Sequence, residues 1–157
     1  DYGRYAAAEA DLAWCNTTVT LAAPGGIDVK AWTNDLLDGI SRDCASAGYI
    51  IGHVKVFTTT PAGFVKGAVT ASGDPASIDE TTVDGPVAAA TATVNARVES
   101  PPAALDTLIL SVIEQVSTTH SATTDVTTVA SFKPGYPKPV HRIPAATLSA
   151  RSDSRAI

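Results

Sequence analysis

Five polar side chains have the chemistry to bind an anionic group such as a phosphate or a carboxylate. Lys and Arg donate charge-assisted hydrogen bonds, Asn donates through its amide, and His adds a donor when it is protonated. The five residues lie in three short stretches that alternate polar with apolar residues, as half-buried strands do. The predicted anion- or partner-binding residues are His53, Lys55, Lys66, Asn95 and Arg97.

Strand geometry predicts that these side chains share one face of a sheet. Successive residues of a strand point to opposite faces, so Val54 and Val56 on the core side leave Lys55 on the open side. If neighbouring strands are in register, the five side chains converge, and His53 strengthens anion binding as it gains a proton. The alternative is that these cations only keep an open sheet face soluble.

A Pro-rich segment near the end of the chain is a second candidate for recognition. Its polar residues are Lys138, His141 and Arg142, and Pro134 and Pro137 have the Pro-x-x-Pro spacing of a recognition peptide. The alternative is structural, because prolines also hold a chain across a sheet edge and prevent further strand pairing.

The two cysteines are predicted to approach each other. A helix that follows the first strand ends near the start of that strand, and Cys44 and Cys15 occupy those two places. Buried thiols, a disulfide, or two ligands of a metal ion are the alternatives. Buried thiols are expected without a recognisable secretory signal, and zinc would need two further ligands, so we predict no metal site.

Charge and motif content exclude several classes of function. The formal net charge of −5 argues against nucleic acid and against an anionic membrane surface as partners. No phosphate-cradling Gly-x-x-x-x-Gly-Lys, dinucleotide-binding Gly-x-Gly-x-x-Gly or zinc-binding His-Glu-x-x-His sequence is present, so we predict no cofactor and no catalytic residues. We expect a cytoplasmic protein whose partner is another protein, a second copy of itself or a small anionic ligand.

Two main helices and five strands are predicted to position these residues. Asp28 is a natural N-cap for an apolar-periodic stretch that ends at Gly48, and Ser100 with two following prolines opens the second helix. A short N-terminal helix is predicted at Tyr2–Trp14, and residues 72–87 are predicted to form a mobile loop. The predicted strands are Asn16–Leu21, Tyr49–Thr58, Phe64–Ala71, Ala90–Glu99 and Asp125–Phe132.

This order of elements predicts an α+β fold. We expect a ferredoxin-like (split β-α-β) two-layer sandwich with one extra strand, in which both helices cover one face of a mostly antiparallel sheet. The predicted organisation is an N-terminal helical extension at 1–15, a sandwich domain at 16–143 and a disordered tail at 144–157.

In order and pattern, these segments resemble the C-terminal accessory domain of CobW-type GTPases, the cobalamin-related metallochaperones. The resemblance covers about residues 16–132 and rests on three segments, the helix Asp28–Ala45, the strand Gly52–Phe57, and Thr93–Val98 leading into the helix that starts at Pro101. The chain lacks that family's GTP-binding half and its metal-binding Cys-x-Cys-Cys. The resemblance therefore implies a regulatory or partner-binding part that cannot hydrolyse GTP alone.

The sequence predicts a non-catalytic binding or assembly module that self-associates. An open sheet face without a recognisable nucleophile and general base suits docking better than turnover. One alternative is a small enzyme with a site around His53, Lys55 and Arg97. Another is a secreted structural or surface protein, which the abundance of Thr and the glycosylation acceptor Asn16-Thr17-Thr18 would suit.

Overall fold

A computed structural model describes residues 11–135 of the 157-residue chain. This part contains six strands and two helices in the order βαββββαβ. The elements are β1 (Ala13–Ile27), α1 (Val29–Ala47), β2 (Ile50–Thr60), β3 (Gly63–Val69), β4 (Ser77–Thr81), β5 (Val87–Glu99), α2 (Pro102–Thr119) and β6 (Thr123–Phe132).

The six strands form one sheet in the order β4-β3-β2-β5-β1-β6, and every neighbouring pair is antiparallel. Helix α1 connects β1 to β2, which lie on either side of β5. Helix α2 connects β5 to β6, which lie on either side of β1. Strands β2 and β3, which correspond to the predicted strands Tyr49–Thr58 and Phe64–Ala71, form an antiparallel hairpin.

The prediction of a ferredoxin-like two-layer sandwich is wrong. The sheet curls into a half-barrel instead of lying as a flat layer beneath the helices. Two features explain the curl: β1 and β5 are long, with 15 and 13 residues, and four of the five strand pairings contain a register shift. Twist accumulates along strands, and each bulge bends its strand further.

Two predicted boundaries also differ from the structure. Strand β1 already begins at Ala13, so Ala13 and Trp14 belong to the sheet and not to an N-terminal helix. Strand β4 lies inside the stretch that was predicted to be a loop, and it adds a sixth strand at the edge. The rest of the predicted N-terminal helix and the predicted tail at 144–157 lie outside the described residues.

Helix α1 begins and ends where its capping residues predict. The Asp28 carboxylate accepts hydrogen bonds from the backbone N–H groups of Lys30 and Ala31, both at 3.0 Å. Gly48 ends the helix with φ of 73°, a left-handed conformation that glycine adopts without strain. The predicted apolar stripe is buried against the sheet, and it includes Trp32, Leu36, Leu37, Ile40 and Cys44.

Helix α2 begins differently from the prediction. Pro101, not Ser100, occupies the N-cap position, and no side chain of the described residues caps this end. The Ser100 hydroxyl is buried and has no hydrogen-bond partner within residues 11–135. A proline in the first turn lowers the number of N–H groups that need a partner, so the helix begins without a side-chain cap.

The two helices pack against each other as well as against the sheet. Trp32 is fully buried and donates its indole N–H to the Ser117 hydroxyl at 3.1 Å. Seven residues further along α1, Gly39 faces Val112 of α2 so closely that a Cβ atom on Gly39 would lie 2.6 Å from Val112 Cγ1. The missing side chain of Gly39 therefore sets how closely the helices approach.

We expect Gly39→Ala to lower the free energy of unfolding by about 1–2 kcal/mol, because the overlap with the stiff Val112 side chain outweighs the better helix propensity of Ala. Urea denaturation measures the change. Gly25→Ala is the control, since its added Cβ would have no neighbour within 4 Å. In a double-mutant cycle with Val112→Ala, the two costs should be less than additive, and full additivity would contradict this packing.

Candidate functional site on the open sheet face

The open face of the sheet is the face that the helices leave uncovered. Along β2 and β5, Val54, Val56, Val94 and Ala96 are buried, and the residues between them point the other way. All five predicted binding residues lie on this face. Lys55, Lys66 and Asn95 are exposed, whereas His53 and Arg97 are half-buried.

The register of the strands shows which of the five predicted residues lie next to each other. His53 lies directly opposite Arg97, and Lys55 lies directly opposite Asn95. Asn95 is in turn opposite Asn16 of β1, which is also exposed. The structure therefore contains one straight row across three strands, here called the amide–lysine row, which consists of Asn16, Asn95 and Lys55.

Arg97 is held in place by an aromatic ring. Its guanidinium carbon lies 3.9 Å from the centre of the Trp14 ring, a cation–π contact across β1 and β5. Trp14 also packs against Phe132 of β6, with ring centres 5.8 Å apart. His53 and Arg97 are both already engaged in interactions, so this part of the face is more pre-arranged than the amide–lysine row.

Lys66 is also engaged. Its ammonium group lies 3.3 Å from a Glu80 carboxylate oxygen and 5.0 Å from the centre of the Phe64 ring. Phe57 packs beside Phe64, with ring centres 5.6 Å apart. The carboxylate of Glu80 offsets the positive charge, so Lys66 belongs to a small aromatic ion-pair cluster and contributes less to an anion site than its position predicts.

Sequence reasoning missed Asn16 and Trp14 as members of this face. Asn16 alternates with the buried Cys15 and Thr17, so its strand parity could have identified it. The predicted helix Tyr2–Trp14 includes Trp14, so the sequence pattern places this residue off the sheet. The predicted tail residues Lys138, His141 and Arg142 lie outside the described residues.

Cys15 and Cys44 are buried free thiols, and no disulfide joins them. Cys15 Sγ lies 3.3 Å from the Thr17 hydroxyl and donates to an Asp106 carboxylate oxygen at 3.4 Å. Within residues 11–135, no group of three or more His, Cys, Asp or Glu side chains is placed to hold a metal ion.

Burial makes both thiols poor nucleophiles. It raises the pKa of Cys44 to about 11, with a smaller contribution from the neighbouring Asp43 carboxylate. Burial also raises the pKa of Cys15, although the hydrogen bonds with Thr17 and Ser131 act in the opposite direction. Since the thiolate is the reactive form, neither cysteine is prepared for nucleophilic catalysis near neutral pH.

Comparison with known proteins gives no family for this chain. No protein-family model, no curated protein and no solved structure matches it. The resemblance to the CobW accessory domain therefore stays a prediction from the residue pattern. Neither helix in the described part of the chain has both the length and the apolar character needed to span a membrane.

The Cys44 thiol predicts how stability depends on alkaline pH. Its pKa is about 11 in the folded protein and 9.0 ordinarily, so the unfolded chain loses this proton first. The stabilisation is fully present below about pH 9 and is lost as the pH rises through about 11. We expect this group to lower the free energy of unfolding by at most about 1.4 kcal/mol per pH unit in that range.

Urea denaturation of the wild type and of Cys44→Ala across this range provides the test. The variant should be less stable at pH 8, because truncation leaves a cavity, but it should lose less stability as the pH rises. All other ionisable groups, including Cys15, are the same in both proteins, so their contributions cancel in the comparison. If the free energy of unfolding decreases equally steeply with pH in both proteins, the effect does not come from the Cys44 thiol.

Proposed function

We propose that this protein is a non-catalytic binding module whose open sheet face holds an anionic group of a ligand or of a partner protein. The observation that carries the proposal is the amide–lysine row. Asn16, Asn95 and Lys55 are exposed in direct cross-strand register, and within residues 11–135 their side chains have no hydrogen bond or ion pair. Two amides and an ammonium group are thus available to an incoming acceptor.

The spacing of the row suits a carboxylate or a phosphate. Adjacent strands lie about 4.8 Å apart, so donors on neighbouring strands can reach different oxygens of the same anionic group. Lys55 supplies the positive charge, and Arg97 lies two residues along β5 from Asn95, where its contact with Trp14 fixes a second positive charge beside the row. The positive charges of Lys55 and Arg97 attract an anionic group, although the net charge of the whole protein is negative.

Binding is better supported than turnover. The two thiols are buried and protonated, and Arg97 is packed on Trp14, as expected of a positioning residue. The resemblance to the CobW accessory domain points in the same direction, because such a part would serve a GTPase or metallochaperone system by binding and not by hydrolysis. A partner protein would then present an acidic or phosphorylated surface to the row.

We expect Lys55→Ala to weaken binding of an anionic probe by about 10- to 100-fold, the loss of a charge-assisted hydrogen bond. Asn95→Ala should weaken it less, because a neutral donor is lost. Isothermal titration and thermal shift with inorganic phosphate and with citrate measure both effects. Lys30→Ala is the matched control, since Lys30 is exposed on α1, away from the open face.

Probe binding that is equal in wild type, Lys55→Ala and Asn95→Ala would show that the row is not the site. Binding that is lost equally in Lys30→Ala would show that only the net charge matters. The folded state of each variant is checked by circular dichroism, so that loss of binding is not confused with loss of structure.

A further inference from the structure

The two edges of the sheet differ in length and in charge. Strand β4 forms one edge, has only five residues and includes Asp79 and Glu80. Strand β6 forms the other edge, has ten residues and includes Asp125 as its only ionisable residue. Short or charged edge strands resist pairing with another chain, whereas a long edge strand with little charge exposes a row of backbone groups that can pair. Of the two sheet edges within residues 11–135, β6 is the long one with little charge.

Strand β6 also exposes apolar side chains that the helices do not cover. Val126 and Val129 pair with Val19 and Thr17, both of which are buried on the helix side of the sheet. Nevertheless, Val126 is 38% exposed and Val129 is 40% exposed, while Phe132 on the open face is 45% exposed. Both faces of this edge therefore have apolar surface available to a partner strand.

Two charges at opposite ends of β6 favour one particular partner. The Asp125 carboxylate near the start and the Lys133 ammonium group just after the end are exposed and have no ion pair within the described residues. In an antiparallel pair of two β6 strands, each Asp125 lies near the Lys133 end of the other copy. A parallel pair would place like charges side by side, which is unfavourable.

We propose that β6 binds β6 of a second copy of this chain in antiparallel register, around a two-fold axis near Val129. Val129 lies midway between Asp125 and Lys133, four residues from each. This register joins the outer backbone edges of the two β6 strands, places Val129 of one copy opposite Val129 of the other on the helix side, and brings the Asp125 end of each strand beside the Lys133 end of its partner. The contact is isologous, because the same strand is used by both copies.

This interface is separate from the proposed anion site. The row extends from Lys55 on β2 through Asn95 on β5 to Asn16 on β1, and the partner strand would pair on the side of β6 that faces away from Asn16. Dimer formation through β6 leaves the amide–lysine row accessible. The two proposals therefore fail independently of each other.

Sedimentation velocity and multi-angle light scattering over a range of protein concentrations test the proposal. The wild type should be a dimer whose dissociation constant increases at least about 10-fold in Val129→Lys, because an edge lysine opposes strand pairing. Asp79→Lys on β4 is the matched control and should leave the dimer unchanged. A wild type that is monomeric at every concentration, or a dimer that Val129→Lys does not weaken, overturns the proposal.

A charge exchange tests the register of the pairing. Asp125→Lys and Lys133→Asp should each weaken the dimer by about 2- to 5-fold at low ionic strength, since opposite charges at the paired strand ends are replaced by like charges. The variant with both substitutions should return to the wild-type affinity. A double variant as weak as the two single ones would overturn the antiparallel register, as would single substitutions without effect.

Discussion

The structure depends on the close approach of α1 and α2 over a single sheet face. Gly39 allows Val112 to reach the backbone of α1, and this contact brings Trp32 within hydrogen-bonding distance of Ser117. Both helices can then share one continuous core with the four inner strands. The two edge strands, β4 and β6, are mostly exposed. Because the buried apolar surface of both helices is used on this side, the helices leave the opposite face of the sheet uncovered.

Sequence reasoning predicted the elements well where local physics determines them. Asp28 and Gly48 fix the ends of α1, and strict alternation locates the strands of the central sheet. The curl could not be predicted in the same way, because it arises from bulges, and a bulge is visible only once two strands are paired. Strand β4 was missed for a similar reason: its sequence has little apolar periodicity, and only pairing with β3 makes it a strand.

The candidate site was predictable in its location but not in its contacts. Parity alone assigned Lys55 and Asn95 to the open face, since their neighbours are buried. Whether a charge on that face is available depends on partners that are distant in sequence. Glu80 partly neutralises Lys66 from the unpredicted strand β4, and Trp14 holds Arg97 from a segment that was assigned to a helix.

The acidic character of β4 has a consequence for how large an assembly of this protein can become. A sheet with two receptive edges can add copies without limit and grow into a fibre. Here Asp79 and Glu80 would face the same carboxylates of another copy if two β4 edges met, and five residues offer few backbone hydrogen bonds in return. Among the strands within residues 11–135, β6 is therefore the receptive edge, and the proposed pairing of two copies at β6 would end edge-to-edge growth at a closed pair.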